Sequence, residues 1–558
     1  MVVLILLLLT SSIAHVAGFV SNRLAIVKRS SSIVRSTPYE KFDYSAQWYP
    51  VALARDVIHS KPYLVTLFDV DYVITRIPSN SKPKRRKRRV SLESYEDETV
   101  YAVIDRCPHK SASLSEGLVV KHADEPIPRF QCAYHGWMFD GKTGKCVMVP
   151  QSPDSENYGA RADITAVPAL IQQGVIYLYP YGGLEEALIK PLPPRLVGFD
   201  QQESQGKLMF WVMRDLDVDW TIIIDNFLDP DHGLFAHQVP WLDLGSASQD
   251  HHMTVKEKFS AESFILRTIV DHCPKFSSAK ETTKSTIRSD VELKKAVTTL
   301  NYPSHWVTGA AEVLHGDAID ADDEIANFTP FVECKISPVG TGRSRLILFF
   351  TLPFQYPWWL PLPFHFLGQI FLNNFLDDDT HLLATTQKYV LEAEAKSLRT
   401  NTKGLGHRSL SVLRSPSDLV FNRLYKFFDE SLPRVPNRKD VLLNNYLSAS
   451  KLPTPPRTQT LDRYKQHTKL SPNSLSLVKK CKAIQRLSKV CIAMLATKVI
   501  VSSRQMSARG VKGAAACLLM AVISLLTSIK LEEAFHFNFP ESRRDRSLAK
   551  IDSLWKQH

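Results

Sequence analysis

Two pairs of cysteine and histidine residues stand at the spacing of metal ligands in this 558-residue chain. Cys107 and His109 form a C-x-H pair, and Cys132 and His135 form a C-x-x-H pair. Two thiolates can hold one iron of a [2Fe–2S] cluster while two imidazoles hold the other, which raises the reduction potential above that of an all-cysteine cluster. A structural zinc ion would accept the same four ligands. The glycines that flank both pairs predict turns that bring two loops together, and they favour the cluster.

A second possible metal site lies farther along the chain, where His232 and His237 are five residues apart. An iron that binds O2 commonly uses two histidines and one carboxylate, and it keeps open positions for oxygen. Three consecutive carboxylates, Asp377, Asp378 and Asp379, are the candidates for the third ligand. The sequence therefore predicts a mononuclear Fe(II) site in addition to the cluster.

Helical phase separates these three carboxylates. Apolar residues mark one stripe at i, i+3, i+4 spacing, which predicts a helix with one buried face: Phe371, Leu372, Phe375, Leu376, Leu382 and Leu383. At about 100° per residue, Asp379 falls near the centre of the stripe, Asp378 near its edge and Asp377 on the opposite, solvated face. A buried carboxylate is unfavourable unless it is paired or binds a metal, so Asp379 is the predicted ligand.

The elements that position these residues divide the chain into two folded parts. Short segments rich in β-branched and aromatic residues predict strands near Tyr63, Tyr72, Val100 and Val175. From about residue 207, strand and helix patterns mix, which predicts an α+β domain. A hydrophobic content of 44% indicates a globular protein, and eight cysteines are too few for a disulfide framework.

The chain carries a formal net charge of +12, and part of that excess lies in one basic run at 82–89. A short run without interleaved aromatic residues is typical of a solvated loop rather than of a nucleic-acid site. We therefore expect no nucleic-acid partner.

Both ends of the chain predict targeting or attachment segments. Residues 1–40 combine an apolar run, a small-residue cleavage site and an acid-poor stretch, as in bipartite plastid-targeting presequences. Residues 451–480 are polar and proline-containing, which predicts a linker. The apolar runs within 481–535 predict membrane-anchoring helices near the minimum spanning length, and a pair of buried helices is the alternative.

On these motifs, the chain resembles the plastid Rieske non-haem iron oxygenases of the pheophorbide a oxygenase type. Relatives within that family are chlorophyllide a oxygenase and the Rieske protein of the inner-envelope translocon. The matching segments are QWYPV at 47–51, CPHK at 107–110, CAYHGW at 132–137 and DNFLDP at 225–230, followed by His232 and His237.

The resemblance implies an α+β fold with an all-β Rieske [2Fe–2S] domain at 46–185 and a helix-grip α+β catalytic domain at 205–450, followed by a C-terminal hydrophobic helical tail. It implies a homotrimer in which Asp229 links the cluster of one subunit to the iron of its neighbour. Family members carry a C-x-x-C pair before the tail, whereas this chain has Ser471 and Ser474 there. Regulation through thiols is therefore not expected.

The function that this resemblance implies is oxygenation of a chlorophyll-derived tetrapyrrole with O2 and electrons from reduced ferredoxin, at an envelope or thylakoid membrane of the plastid. Opening of the pheophorbide a ring is the first expectation, and oxygenation of a chlorophyllide or protochlorophyllide side chain is the alternative. A non-catalytic redox-sensing subunit of the plastid envelope is the alternative of another class.

Overall fold

The computed structural model describes most of the chain between residues 38 and 536. The described residues are 38–78, 95, 97–121, 125, 127–153, 157–232, 236–237, 242–243, 253–270, 275–276, 295–313, 325–355, 364–404, 406–502 and 507–536. The basic run at 82–89 and nearly all of the predicted presequence lie outside these ranges.

The first part of the chain forms three small antiparallel sheets. Their strand orders are β1-β11-β10, β2-β3-β4-β9 and β5-β6-β7-β8. The strands are β1 Tyr49–Leu53, β2 Tyr63–Leu67, β3 Val70–Ile77, β4 Thr99–Ile104, β5 Leu118–Val120, β6 Arg129–Gln131, β7 Met138–Asp140, β8 Cys146–Met148, β9 Ala166–Val167, β10 Ala169–Gln172 and β11 Val175–Leu178. The strands predicted near Tyr63, Tyr72, Val100 and Val175 are thereby confirmed.

The second part is built on a seven-stranded antiparallel sheet in the order β12-β20-β19-β18-β17-β15-β14, with a separate pair β13-β16. The strands are β12 Lys207–Leu216, β13 Leu242–Asp243, β14 Met253–Phe259, β15 Phe264–Val270, β16 Lys275–Phe276, β17 Lys295–Tyr302, β18 His305–Val313, β19 Ile325–Gly340 and β20 Arg343–Gln355. Together with the helices that pack on this sheet, they confirm the predicted α+β class.

Helices precede, interrupt and follow this sheet. They are α1 Leu184–Ile189, α2 Val197–Gln205, α3 Trp220–Leu228, α4 Phe364–Thr400, α5 His407–Leu410, α6 Leu419–Ser431, α7 Arg438–Asn445, α8 Arg457–Thr460, α9 Arg463–Gln466, α10 Pro472–Ser502 and α11 Ala508–His536. The longest, α4, has 37 residues and buries Leu372 and Leu376 against the main core. It carries all three candidate carboxylates.

The segment predicted as a linker, 451–480, is folded and has a buried central portion, so that prediction is wrong. Helices α8 and α9 lie within it, and His467 and Thr468 are almost completely buried. Ser471 and Ser474 are buried as well, and the Ser471 hydroxyl donates to Asp56 at 2.8 Å. Polar composition misled the prediction because these polar side chains find buried partners far away in the sequence.

The tail forms a hairpin of two long helices, α10 and α11. Gln485 of α10 donates to Glu532 of α11 at 2.7 Å, so the last turns of α11 lie beside the first turns of α10. Within the described part of the chain, one helix is long and apolar enough to cross a membrane, from Gly510 to His536. By this measure the run in α10 does not qualify, so of the two predicted membrane helices only the second is supported.

Candidate metal centres

The two Cys–His pairs occupy neighbouring loops of the first part of the chain. Cys107 and His109 lie between β4 and β5, while Cys132 and His135 lie between β6 and β7. Both cysteines are buried, and the imidazole rings of His109 and His135 have their centroids 4.4 Å apart. The fold thus brings two buried thiols and two adjacent imidazoles to one end of a small sheet.

Backbone geometry explains why glycines flank these loops. A Cβ atom on Gly117 would lie 2.0 Å from the carbonyl oxygen of Gln131, so only glycine lets the two loops approach this closely. Gly136 has a φ of +76°, and its amide donates to the carbonyl of Cys132 at 3.0 Å. That left-handed conformation costs glycine little, and it closes the turn between Cys132 and His135.

The surroundings of the four side chains suit a histidine-ligated cluster. The indole of Trp137 stacks on the ring of His109 with centroids 4.8 Å apart, which fixes the plane of that imidazole. Burial raises the pKa of the Cys107 thiol to about 11 in the metal-free chain. Because a cluster binds the thiolate, its assembly must displace a proton from this thiol.

His232, His237 and Asp379 come together in the second part of the chain, with their ligand atoms all within 4.8 Å of one another. The two Nε2 atoms of the histidines are 3.3 Å apart, and the Nε2 atom of His237 is 3.5 Å from Oδ2 of Asp379. Two ligand atoms that bind one ion at about 2.1 Å and at right angles lie about 3 Å apart. These separations therefore fit one mononuclear metal ion, and two imidazoles with one carboxylate is the ligand set of non-haem Fe(II) sites.

Neighbouring groups orient these ligands. The backbone carbonyl of Asp229 accepts a hydrogen bond from Nδ1 of His232, which leaves Nε2 of that ring as the metal-binding atom. The side-chain amide of Asn226 donates to Oδ2 of Asp379 at 2.9 Å. The ring of Phe375 stacks on His237 with centroids 3.8 Å apart. Asn226 was not among the predicted site residues, because an amide next to an acidic residue gives no spacing signal.

The other two carboxylates of the Asp triplet have different surroundings. Oδ2 of Asp378 is 4.0 Å from Nδ1 of His237. Asp377 is only 2% exposed and lies 2.5 Å from a guanidinium nitrogen of each of two arginines, Arg214 and Arg463. The expectation of a solvated Asp377 is therefore wrong, because α4 is covered on that face as well. The choice of Asp379 as the third iron ligand remains a prediction that this geometry suits.

Asp229 is the C-cap residue of α3 and lies three residues before His232. Its Oδ1 atom accepts from the backbone amide of Asp231 at 2.8 Å, and the side chain is partly buried. Its carboxylate is not one of the three clustered ligands. This position is compatible with the coupling role that the resemblance implies for Asp229, and that role remains a prediction.

Asp225 lies one helical turn before Asp229, and the pKa of its carboxyl group is shifted in a way that can be tested. Burial raises the pKa of its carboxyl to about 7, although a hydrogen bond from Tyr425 opposes that shift. The folded chain thus holds a proton that the unfolded chain releases near pH 4, so this group destabilises the fold increasingly from about pH 4 to pH 7 and constantly above. Each unit of pKa difference corresponds to about 1.4 kcal/mol.

We therefore expect Asp225→Asn to stabilise the protein at pH 8, by on the order of 2–4 kcal/mol, and by only about 1 kcal/mol at pH 4.5. Chemical denaturation of both proteins at the two pH values measures this difference. An equal change in unfolding free energy at both pH values would contradict the raised pKa of Asp225.

Comparison with known proteins agrees with this architecture. A family model described as "Rieske [2Fe-2S] domain" matches residues 47–165. Pheophorbide a oxygenase of Oryza sativa subsp. japonica is 31% identical over 36% of this chain and 34% of its own length. Protein TIC 55 of Arabidopsis thaliana is 28% identical over 35% and 31%, and TIC 55 of Pisum sativum is 24% identical over 83% and 76%.

The first two alignments span about a third of those relatives' length, whereas the alignment with the Pisum protein extends through both folded parts of this chain. The matched domain contains all four predicted cluster ligands, Cys107, His109, Cys132 and His135, and its description favours a [2Fe–2S] cluster over the structural-zinc alternative. In the second part of the chain, two histidines and one aspartate lie close enough together to hold a mononuclear iron. The chain therefore contains a Rieske [2Fe-2S] domain, and its sequence is similar to chloroplast proteins that include pheophorbide a oxygenase and TIC 55.

Proposed function

We propose that this protein is an oxygenase that inserts oxygen from O2 into a chlorophyll-derived tetrapyrrole, with opening of the pheophorbide a ring as its reaction. The observation that carries the proposal is the presence of two centres in one chain: the Rieske domain and the group of His232, His237 and Asp379. The relatives named pheophorbide a oxygenase and chlorophyllide a oxygenase support the substrate class.

When bound, the cluster supplies single electrons and the mononuclear iron activates O2. The protein's own residues would hold these groups and control the space between them. Cys107, His109, Cys132 and His135 hold the cluster, and His232, His237 and Asp379 hold the iron. Asn226 keeps the Asp379 carboxylate turned towards His237 through its 2.9 Å hydrogen bond.

A homotrimer is part of the proposal, with Asp229 connecting the two centres across a subunit interface. His109 is exposed in the single chain, so its imidazole is accessible to a neighbouring subunit. Asp229 is partly exposed at the mononuclear site. A carboxylate that accepts a hydrogen bond from a cluster imidazole would couple the two sites.

Reduced ferredoxin is the proposed electron donor. Arg106 and Lys110, which flank the first cluster pair, are both exposed and positively charged. A positive surface beside the cluster attracts an acidic donor and accelerates its association. Because surface charges are screened by salt, the rate of reduction should then fall as ionic strength rises.

Side-chain oxygenation of chlorophyllide or protochlorophyllide is the second candidate within this class. The relative described as protochlorophyllide-dependent translocon component 52 of Arabidopsis thaliana, 25% identical over 77% of this chain, favours it. A non-catalytic redox-sensing subunit, which would use only the Rieske domain at residues 47–165, is the candidate of another class. The clustered His232, His237 and Asp379 argue against a role without turnover, since redox sensing needs only the Rieske cluster.

One experiment distinguishes these candidates. The protein is incubated without O2 with pheophorbide a, chlorophyllide a or protochlorophyllide, and then O2 and reduced ferredoxin are added. We expect oxygen from O2 in a product of pheophorbide a, together with loss of its long-wavelength absorption, because ring opening interrupts the conjugated macrocycle. Oxygen incorporation with that absorption retained would indicate side-chain oxygenation. Cluster oxidation without any oxygenated product would indicate the redox sensor.

The proposed location is the plastid, at an envelope or thylakoid membrane. Relatives whose names describe them as chloroplastic support the organelle. Apolar side chains that are more than half exposed support attachment through α11, among them Leu519, Met520 and Leu526. Membrane attachment would suit a substrate that partitions into lipid.

We expect the double substitution Leu519→Glu with Leu526→Glu to release the protein from plastid membranes on washing with alkaline carbonate, because charged groups at these positions are unfavourable in lipid. The unmodified protein should stay in the pellet. A matched control is Leu188→Glu with Leu192→Glu, which changes two leucines that are at least as exposed and lie outside the tail helices. Release of the unmodified protein by the same wash would show that the tail does not anchor it.

A further inference from the structure

The face of α4 that points away from the candidate iron site is held by a segment near the C-terminus, residues 460–468. Asn374, Asp377 and His381 are spaced three and four residues apart, so they share one face of α4. All three contact that segment: Arg463 donates to Asn374 at 2.9 Å, and Nδ1 of His381 is 2.8 Å from the hydroxyl of Thr460. Asp379 is about 200° around the helix from Asp377 and belongs to the other face.

The strongest contact on this face is a buried cluster of three charges. The Oδ1 atom of Asp377 is 2.5 Å from Arg214 of strand β12, and its Oδ2 atom is 2.5 Å from Arg463. All three side chains are at most 1% exposed. Burial in a medium of low dielectric strengthens such pairs and makes their geometry strict.

The 460–468 segment is itself fixed to the sheet. Gln466 accepts two hydrogen bonds from Arg214, at 2.7 and 3.1 Å. Nδ1 of His467 donates to the backbone carbonyl of Met213 at 2.7 Å. The segment therefore joins α4 to strand β12 by several short, buried hydrogen bonds, and it can resist rotation of α4 about its axis.

Rotation of α4 would matter directly to the iron site. Asp379 reaches His237 and Asn226 from this helix at 3.5 and 2.9 Å, and the adjacent carboxylate, Asp378, is about 100° away around the axis. Even a modest rotation would withdraw the Asp379 carboxylate from His237, and a rotation of about 100° would put Asp378 in its place. The position of the Asp379 carboxylate therefore depends on the contacts that fix the opposite face of α4.

We propose that Arg463 is a positioning residue of the mononuclear iron site: through Asp377 it fixes the rotation of α4 that presents Asp379 to His232 and His237. The inference rests on the proposed function only in taking these three residues as iron ligands. Arg463 touches none of them, so it acts through the helix rather than on the metal.

The charge balance among Asp377, Arg214 and Arg463 suggests which substitution to use. Two guanidinium groups face one carboxylate, so this group of three side chains carries one excess positive charge. Arg463→Met removes that excess and leaves Asp377 paired with Arg214, whereas Asp377→Asn would leave two buried arginines without an anion. Methionine also keeps most of the volume of the arginine side chain. The Arg463→Met chain should therefore fold.

The test is anaerobic titration of the protein with Fe(II), monitored by electron paramagnetic resonance of the nitric oxide adduct of the mononuclear iron. The Rieske signal of the same sample serves as an internal measure of folded protein. We expect Arg463→Met to weaken Fe(II) binding by about 10- to 100-fold, the range typical of residues that orient metal ligands, with the cluster content unchanged. Arg463→Lys keeps the charge but not the planar fork, and its affinity should be intermediate.

Arg345→Met is the matched control. Arg345 forms another buried pair, with Asp215 at 2.6 and 2.8 Å, and it contacts neither α4 nor the 460–468 segment in any described interaction. The proposal is wrong if Arg463→Met binds Fe(II) as tightly as the unmodified protein, or if Arg345→Met weakens binding equally. Failure of the unmodified protein to bind Fe(II) at this site would overturn the proposed function itself. If Arg463→Met does not fold, an unchanged affinity in Arg463→Lys also refutes the proposal.

Discussion

Replacing Asp379 by alanine is expected to empty the mononuclear site while the Rieske cluster stays in place. The substitution removes the only carboxylate within 4.8 Å of the metal-binding atoms of both His232 and His237 among the described residues. Loss of one of three protein ligands should weaken Fe(II) binding by more than about 100-fold, beyond the effect of residues that merely orient ligands. Oxygenation should fall to background. Iron and sulfide analysis, with the Rieske signal as reference, measures this result.

Asp378→Ala is the matched control, because it removes the adjacent carboxylate from the same helix. Asp378 lies 4.0 Å from Nδ1 of His237, on the side of the ring away from Nε2. We expect this variant to retain iron and most of its activity. Iron loss in Asp378→Ala but not in Asp379→Ala would mean that α4 turns by one residue when the metal binds, and that Asp378 is the ligand.

Asp229→Asn is expected to leave both metal centres occupied and to reduce the turnover rate by roughly 100-fold or more. The contact of Asp229 with His232 runs through its backbone carbonyl, which asparagine retains. What the substitution removes is the negative charge that would accept a hydrogen bond from a cluster histidine of the neighbouring subunit. Electron transfer should therefore slow although no ligand is lost.

Single-turnover experiments with pre-reduced protein measure that step directly, as the rate at which the cluster is reoxidised after O2 and substrate are added. The control is Asp231→Asn, two residues along the chain. Its carboxylate accepts hydrogen bonds from the hydroxyls of Ser415 and Ser417 and is not one of the three candidate iron ligands. Unchanged cluster oxidation in Asp229→Asn would mean that electrons take another route.

Sequence reasoning identified the ligand candidates because ligands are reactive residue types at short spacings. Cys107 with His109, Cys132 with His135, and His232 with His237 are each local pairs, and a local pair is visible without the fold. Helical phase also predicted that Asp379 lies on a buried face of its helix, and it is buried there. Each of these predictions uses residues that lie close together in the sequence.

The same reasoning failed for Asp377, for a physical reason. Periodicity shows which face of a helix is apolar, but it cannot show that a polar face is buried against charged partners. The partners of Asp377 are Arg214, in a strand far upstream, and Arg463, in a segment that polar composition had assigned to a linker. Asn226 was missed for a related reason: an amide that orients a ligand carries no spacing signal of its own.

The helical hairpin has a consequence for how the chain meets a bilayer. Both of its ends stay at the catalytic part: Ser474 in the first turn of α10 is buried, and the carbonyls of Ala534 and Phe535 at the end of α11 accept hydrogen bonds from Arg463 and Thr468. Helices of 31 and 29 residues extend about 45 Å at about 1.5 Å per residue. Attachment of α11 to a bilayer would therefore hold both metal centres within about one helix length of that membrane.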